Sequence, residues 1–433
     1  MEIKLSPKVK QILSSTSVLL LIFLILFFRN PVLFRYPVPH AEDLSVFLGQ
    51  EYSIGFPDTA LILYAGYIHL LPRIIAWISL KFDWSNAMLV MDWTVMFIKV
   101  FIFYMIFKSK EINSNLIKFS LLMYLLLVPW ADEIYNNVTN LQWWLIPLMM
   151  VIIIRRETST FGLIFSCCVL LLSGLTGINS IVFAVPCVYL LLKVKTKDCL
   201  LKTLIIVLCA FIQLYCLLSS PRMSKGLEYN YILSMGGGWI VNLINMFVIR
   251  VIYQTLFNIS STSSANIFVF LIYISILAVN LYYYRNSLIV RFIFLFSTIY
   301  SISILYSLIK IHPNLEFFIK VTRGGAACER YFVFLRICSF ILLISSLNIV
   351  FKYILKPEFY KKFMAYSCFL LCLVLLHCFP SGIQAFQVRS IYYADIEKIK
   401  TAKVGEIVTI HNVLVCGPKE KRRPWICYDL KKK

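Results

Sequence analysis

Apolar stretches of about 20 residues without charge recur along the whole of this sequence. Of the 433 residues, 60% are hydrophobic, and the mean hydropathy is +0.81. A helix of about 20 apolar residues rises about 30 Å, which matches the hydrocarbon core of a bilayer. The sequence therefore predicts an all-α polytopic membrane protein.

The basic residues outside these stretches predict the orientation of the chain. Lys4, Lys8 and Lys10 precede the first stretch, and the Arg29-Asn-Pro-Val sequence after it offers no small-residue cleavage site, so a retained helix is expected. Short connections rich in Lys and Arg mark the cytoplasmic side. They are Lys108-Ser-Lys110, Arg155-Arg156, Lys193 to Lys202, Arg285 to Arg291 and Lys352 to Lys362. This pattern predicts an inside N-terminus and an outside C-terminus.

On this basis about eleven transmembrane helices are predicted. They lie near residues 12–28, 85–107, 115–131, 141–154, 159–174, 179–193, 202–218, 264–284, 292–309, 332–351 and 363–379. Two further apolar stretches, 58–80 and 239–260, contain charged and polar residues. Counting either one alone as a span would put the basic connections outside. Both are therefore expected to lie in the outer interface or to dip partway in, although two full spans would preserve the same C-terminal side.

Charged residues within the predicted spans are few. Asp92 lies about seven residues into the second span, and Lys99 follows two turns later on the same face. We expect the two side chains to neutralise each other in the bundle. Asp92 is then either a functional carboxylate or a structural anchor.

Residues 381–433 differ from the rest of the chain. They hold eleven Lys or Arg against five Asp or Glu, within a total net charge of +21. We expect residues 1–380 to form the transmembrane domain and residues 381–433 to form a small basic outer domain. That domain is either a solvated tail or a surface for anionic lipid or glycolipid headgroups.

Local patterns in this tail predict some structure. Alternating apolar residues from Val404 to Val415, followed by a turn at Gly417-Pro418, predict two strands. Cys416 and Cys427 lie on either side of that turn. In an oxidising compartment they could form a disulfide, and the sequence does not decide whether they do.

Polar and aromatic residues concentrate in the loops predicted to lie outside. The first loop, 29–84, carries the acidic pair Glu42-Asp43 directly after the first helix. Side chains able to bind a sugar by hydrogen bonds and stacking lie in this loop and in the second outer loop. They are His40, Tyr67, His69, Asn140, Gln142 and Trp143. The Trp143-Trp144 pair could also belong to an aromatic belt at the membrane interface.

The late outer loop combines arginines with glycines. Arg323 and Arg330 flank Gly324-Gly325, and Tyr331 follows just before the next helix. Guanidinium groups pair well with phosphate oxygens, so these residues, with Arg73 of the first loop as a further candidate, are expected to bind a phosphate at headgroup level. They could otherwise be ordinary headgroup anchors.

Several familiar motifs are missing from the sequence. It has no Walker A motif, no dinucleotide fingerprint and no long internal repeat, which argues against an ATP-driven transporter in one chain. No spacing of Cys or His matches a metal site, and no nucleic-acid partner is expected.

The order and sidedness of the motifs resemble the GT-C superfamily of polytopic glycosyltransferases. Within it the chain is most similar to the serotype-converting O-antigen glucosyltransferases of Gram-negative bacteria and their phages. The residues that carry the resemblance are Glu42-Asp43 after the first helix, Tyr64-Ala-Gly-Tyr67 running to Leu71-Pro72-Arg73, Asn140-Leu-Gln-Trp143, and Arg330-Tyr331 before a late helix. The chain has Glu-Asp where many members have Asp-x-Asp. The resemblance therefore implies no cofactor and leaves a divalent metal open.

This resemblance implies an inverting transfer of a hexose, expected to be glucose. The donor would be a polyprenyl-phosphate sugar, and the acceptor a lipid-linked O-antigen or lipopolysaccharide glycan at the periplasmic face of a bacterial inner membrane. One carboxylate would accept the proton of the acceptor hydroxyl, Asp43 as first candidate and Glu42 as second. Arg323 and Arg330, with Arg73, would stabilise the departing phosphate. Glu42-Asp43 could instead cap an interfacial helix.

Two other functional classes stay open at this point. An O-antigen polymerase would share the compartment and the partners, but would need two glycan-binding loops. A flippase or other transporter of lipid-linked sugars should carry charges that face a central cavity through many spans, whereas here the charges gather on one face.

Overall fold

A computed structural model describes most of the hydrophobic part of the chain. The described residues are 7–29, 31, 34, 42–82, 84–112, 115–128, 134–135, 137–220, 237–256, 265–311, 329–354, 359, 397–398, 401, 403, 406–412 and 425–431. The eleventh predicted span, 363–379, lies outside them. So do His40 and Arg323.

Helices dominate the described residues. The first half contains α1 (Pro7–Arg29), a π-helix (Asp43–Leu48), α2 (Gly49–Ser53), a 3₁₀ turn (Asp58–Leu61), α3 (Leu70–Ser79), α4 (Trp84–Lys108), α5 (Asn115–Leu127), α6 (Leu141–Ile154), α7 (Thr160–Gly174), α8 (Asn179–Val194) and α9 (Lys197–Ser219). The second half contains α10 (Gly237–Phe247), a second π-helix (Val248–Tyr253), α11 (Gln254–Leu256), α12 (Ala265–Tyr283), α13 (Leu288–Ile311), a 3₁₀ turn (Glu329–Tyr331) and α14 (Val333–Ile354).

Within the described part of the chain, five helices are long and apolar enough to cross a membrane. Their apolar segments are Asn86–Lys108, Lys197–Ser219, Asn266–Tyr283, Leu288–Leu308 and Val333–Val350. The predicted class, a helical membrane protein, is thereby confirmed. The number of eleven spans and the orientation of the chain stay predictions.

The two apolar stretches that were not counted as spans form different structures. Residues 58–80 contain the 3₁₀ turn and α3, whose ten residues rise only about 15 Å, too little to cross a bilayer. Of residues 239–260, those up to Leu256 fall on α10, the second π-helix and α11, with Arg250 buried in the π-helix, and 257–260 lie outside the described residues. The location of these helices in the interface stays a prediction.

Buried apolar side chains from many helices form one continuous core. Helix α4 is central to it, because α4 packs against α1, α3, α5 and α6. Helices α8 and α9 form a tight antiparallel hairpin, joined by Lys195 in the left-handed conformation. The site end of the bundle, as used below, is the end at which α6 and α14 begin and α7 and α9 finish.

A two-stranded antiparallel hairpin follows near the C-terminus. Strand β1 (Ile407–Asn412) pairs with β2 (Trp425–Lys431), and the register is irregular between His411 and Asn412. Strand β2 lies against α2, the helix that follows the acidic pair. Cys427 lies in β2. Cys416 is outside the described residues, so the disulfide between the two cysteines stays a prediction.

Candidate functional site

Asp43 connects the first loop to the beginning of α6. Its carboxylate is almost completely buried. Oδ1 accepts hydrogen bonds from the Thr139 amide at 2.9 Å and the Thr139 hydroxyl at 2.5 Å, and Oδ2 accepts from the Val138 amide at 3.0 Å. Backbone amides that precede a helix stabilise negative charge at its N-terminal end. Asp43 therefore fixes two segments that lie almost one hundred residues apart.

Glu42 has a different environment from its neighbour. Its side chain is half-buried, and Oε1 accepts a hydrogen bond from the Tyr64 hydroxyl at 2.8 Å. Burial and the charge of Glu42 raise the pKa of Tyr64, while the positive charge of Arg330 acts in the opposite direction. Glu42, Tyr64 and Arg330 therefore form one electrostatic neighbourhood.

His69 is buried among aromatic rings. The centroids of Tyr67, Tyr64 and Phe47 lie 4.6, 5.4 and 5.6 Å from the imidazole. Burial, and then the positive charge of Arg73, lowers the pKa of His69 to about 3. Among the described residues, neither ring nitrogen makes a hydrogen bond of ordinary geometry, and the Tyr64 backbone acts on the imidazole in the direction that raises its pKa. A neutral imidazole has one donor and one acceptor, which together suit a hydroxyl group or a water molecule.

The backbone around His69 is held by the neighbouring helices. The Gln213 side chain of α9 accepts from the Ile68 amide at 2.9 Å and donates to the Ile68 carbonyl at 3.0 Å. The Gly177 amide donates to the same carbonyl at 3.1 Å, and the Leu70 amide donates to the Leu175 carbonyl at 3.0 Å. The loop is therefore attached to α9 and to the α7–α8 turn.

Position 177 favours glycine because of its backbone conformation and its closeness to the Gln142 side chain. Its φ is +93°, and a Cβ at this position would lie 2.0 Å from Gln142 Oε1. That oxygen is buried and has no hydrogen-bond partner among the described residues. The Gln142 carbonyl accepts from the Asn179 side chain at 2.9 Å. Gln142 thus packs against the turn that also holds the backbone beside His69.

Asn140 and Trp143 connect the start of α6 to the start of α14. The Asn140 amide donates to Asn137 Oδ1 at 2.8 Å, and the Trp143 indole donates to Asn140 Oδ1 at 3.3 Å. The Trp143 ring meets the Tyr331 ring edge to face, with centroids 5.5 Å apart. Trp144 points into the core instead, and its indole donates to the Ile134 carbonyl at 2.8 Å. The two tryptophans therefore have separate surroundings.

The predicted phosphate-binding arginines have different environments. Arg330 is half-buried, and its guanidinium lies 5.3 Å from the centroid of the Tyr331 ring. Arg73 is completely buried, and it donates to the Val46 carbonyl at 2.9 Å and to the Ile62 carbonyl at 3.3 Å. Burial lowers the pKa of Arg73 to about 10, despite the opposing charge of Glu51.

The expected pairing of Asp92 with Lys99 is wrong. The Lys99 ammonium donates instead to the Tyr135 carbonyl and lies over the rings of Tyr135 and Trp144, at 3.8 and 4.8 Å from their centroids. Asp92 is buried, and its Oδ2 has no hydrogen-bond partner among the described residues. The negative charge of Asp43 repels that of the Asp92 carboxylate. Seven residues on a helix rise about 10 Å, so Lys99 lies too far along α4 from Asp92 for the two side chains to pair.

Several of these contacts were not expected from the sequence. Thr139 and Val138 are ordinary residues whose role comes from amides that face Asp43. Gln213 is the exception, because an amide side chain in the middle of an apolar helix needs a buried partner and so could have been singled out.

No group of three or more His, Cys, Asp or Glu that could hold a metal ion occurs in the part of the chain that the structure describes. Away from the site, an apolar groove of about 480 Å³ runs between α12 and α14, lined by residues such as Phe268, Leu271 and Ile349. Its lining suits hydrocarbon, whereas a sugar needs the polar groups gathered around Glu42.

No protein-family model matches this sequence, and none of the curated proteins is significantly similar to it.

Proposed function

We propose that this membrane protein is a glycosyltransferase of the GT-C type. It would transfer a hexose, with glucose as the first candidate, from a polyprenyl-phosphate donor to a hydroxyl of a lipid-linked O-antigen or lipopolysaccharide glycan. By the same resemblance, the reaction would take place at the periplasmic side of a bacterial inner membrane. The proposal combines the resemblance of the motifs with their arrangement at the site end.

The observation that carries this proposal is the convergence of four motifs that are remote in sequence. Glu42 accepts a hydrogen bond from Tyr64, and Arg330 interacts electrostatically with the same tyrosine. Tyr331, the residue after Arg330, packs on Trp143. Asp43 binds Thr139, close to the beginning of the helix that carries Trp143. A half-buried carboxylate, a guanidinium and hydrogen-bonding side chains at one end of a helical bundle match the needs of sugar transfer from a lipid phosphate.

The proposed reaction is a single displacement. The acceptor oxygen attacks the anomeric carbon, the bond from that carbon to the phosphate oxygen breaks, and a carboxylate takes the proton of the acceptor hydroxyl. The leaving polyprenyl phosphate keeps the bonding electrons. Arg330 would stabilise its charge, because positive groups act most strongly where negative charge develops in a water-poor site.

The surroundings of the two carboxylates favour Glu42 as the proton acceptor. Asp43 already accepts from three donors of one loop and is buried, so substrate access would require that loop to move. Glu42 is half-buried and its hydrogen bond comes from one tyrosine hydroxyl, which a substrate hydroxyl could replace. Asp43, the first choice by resemblance, would then hold the loop that ends at Asn140 and leads into α6, the helix of Trp143.

The deciding experiment is sugar transfer by purified protein in lipid nanodiscs. The substrates are polyprenyl-phosphate glucose and a lipid-linked O-antigen acceptor, and the variants are Glu42→Gln and Asp43→Asn. Asp58→Asn is the matched control, because Asp58 is an exposed acid in the same loop. Donor binding and thermal unfolding are measured for each variant.

We expect Glu42→Gln to lose transfer by at least about a hundredfold while it still folds and binds the donor. Loss only in a folded Asp43→Asn would return the proton-acceptor role to Asp43. Full activity in both variants would discard the acidic pair. No transfer by the wild-type protein with several donors and acceptors would favour the polymerase or the transporter instead.

A further inference from the structure

A ridge of exposed apolar side chains lies beside the site on the first loop. The ridge consists of Phe56, Leu61, Leu63, Trp77, Ile78 and Phe82. Leu61 is the most exposed of them, at 73%. The rings of Phe56 and Trp77 are in contact, with centroids 5.2 Å apart, and the 3₁₀ turn that ends at Leu61 packs on α3. Loop and helix therefore form one surface.

Helix α3 is apolar on its exposed side as well as on its buried side. One side is buried against the protein through residues that include Pro72, Ile75 and Ala76. The other side exposes Trp77 and Ile78, and the Lys81 ammonium lies 5.2 Å from the centroid of the Trp77 ring. Tryptophan and lysine side chains are typical of the headgroup level of a bilayer.

The chain itself brings the ridge to the bilayer. Phe82 lies two residues before α4, which is one of the helices long enough to cross a membrane. An apolar surface of this kind needs a cover, and lipid is what surrounds the entry point of α4. Lipid is therefore the partner that we expect to contact the ridge, because the chain runs from the ridge directly into a candidate transmembrane helix.

Arg73 connects this ridge to the acidic pair. Its guanidinium donates to the carbonyl of Ile62, which lies between Leu61 and Leu63 of the ridge, and to the carbonyl of Val46. Val46 belongs to the π-helix that starts at Asp43. The guanidinium also lies 5.0 Å from the centroid of the Phe47 ring. One buried side chain thus holds both segments.

We propose that the ridge inserts into the headgroup region of the bilayer. Through its hydrogen bonds to Ile62 and Val46, Arg73 then couples the position of the ridge to that of the segment that carries Glu42 and Asp43. Lipid contact then fixes the position of the acidic pair. The insertion does not depend on the proposed sugar transfer, so its test succeeds or fails separately from that activity.

The first test measures where the ridge lies. A fluorescent amino acid is incorporated at Leu63, and at Asp58 as the control on the same loop, and the full protein is reconstituted in nanodiscs. We expect the Leu63 probe to be quenched by lipids that carry a quencher near the headgroup and to resist aqueous iodide. The Asp58 probe should show the reverse. Iodide quenching of both probes would overturn the insertion, and so would protection of Leu63 from both quenchers, since a protein would then cover the ridge.

The second test measures the connection through Arg73. Amide hydrogen exchange of residues 43–48 is compared in nanodiscs between wild type and Arg73→Gln, with Lys81→Gln as the control that removes an exposed charge of the same segment. We expect exchange of 43–48 to become at least about tenfold faster in Arg73→Gln alone, because the clamp on Val46 is lost. Exchange of α9 reports whether each variant is folded.

A pair of surface substitutions covers the case in which Arg73→Gln does not fold. Leu61→Ser combined with Leu63→Ser changes exposed side chains, and it should weaken insertion and speed exchange of 43–48 together. Unchanged exchange of 43–48 in this variant, or in a folded Arg73→Gln, would overturn the connection.

Discussion

The two ends of helix α6 hold buried charges in opposite ways. Beyond its C-terminal end, Glu157 pairs with Arg155 at 3.3 Å and with Lys202 at 3.7 Å, and Lys202 lies 4.0 Å from Asp198. At its N-terminal end, Asp43 is held by two backbone amides and a hydroxyl. In the first group cations hold the carboxylates, whereas two backbone amides and a hydroxyl contribute to holding Asp43.

This difference separates a structural role from a role in chemistry. A closed network of side-chain charges has little capacity left for a ligand. Backbone amides stabilise the charge of a carboxylate, and Glu42, His69 and Gln142 at the same end of the bundle retain hydrogen-bonding capacity. The site end is therefore the candidate for binding, and the Glu157 network for stability.

The largest effect is expected at the Glu157 network. Glu157→Gln leaves the buried Lys202 without a full counter-charge and should lower the free energy of unfolding by about 4 kcal/mol. The measurement is unfolding in detergent, together with sugar transfer by the folded fraction, which should not change. The double variant Glu157→Gln with Lys202→Met should recover part of the loss. Equal stability of wild type and Glu157→Gln would contradict the comparison.

At the other end, Asp43→Asn should lower the free energy of unfolding by about 3 kcal/mol. The amide of asparagine turns a donor toward the Val138 or Thr139 amide, so one buried donor loses its acceptor. Asp58→Asn, at an exposed acid, should change stability very little. If both variants unfold alike, Asp43 does not hold the α6 loop.

Gly177→Ala should cost about 2 kcal/mol, from backbone strain at a positive φ and from the collision with Gln142. Gly55→Ala is its matched control, because Gly55 has a φ of +91° and no atom within 4 Å of the added Cβ. The control should show the strain of about 1 kcal/mol alone. Combining Gly177→Ala with Gln142→Ala should relieve the collision, and the lack of any relief would place the cost elsewhere.

The most gradual effect concerns the pH dependence of stability. His69 has a pKa of about 3 in the folded protein against an ordinary value of 6.5, so the unfolded chain binds the extra proton between these values. Stability should therefore fall as the pH drops below 6.5, by up to about 1.4 kcal/mol per pH unit from this group. The free energy of unfolding of His69→Gln between pH 7 and pH 5 should fall less steeply than that of wild type. Parallel curves would show that His69 is not held neutral.

The sequence allows the helices to be predicted better than the contacts between them. In the described residues, a helix is found over each predicted span before 363–379, because a long uncharged apolar run has few alternatives in a membrane. The pairing of Asp92 with Lys99 failed because their spacing along α4 says nothing about the carbonyl and the rings that Tyr135 and Trp144 bring to Lys99. The same limit applies to Asp43, whose partners come from a distant loop.

The sequence by itself determined that the chain is a helical membrane protein and which residues carry charge and aromatic surface. Hydropathy is a local property, summed over neighbouring residues, and it needs no knowledge of the fold. Only the tertiary structure decided that Asp43 is buried against Thr139, that Glu42 faces Tyr64, and that Arg73 binds two carbonyls. These contacts depend on how distant segments pack, and no local pattern contains that information.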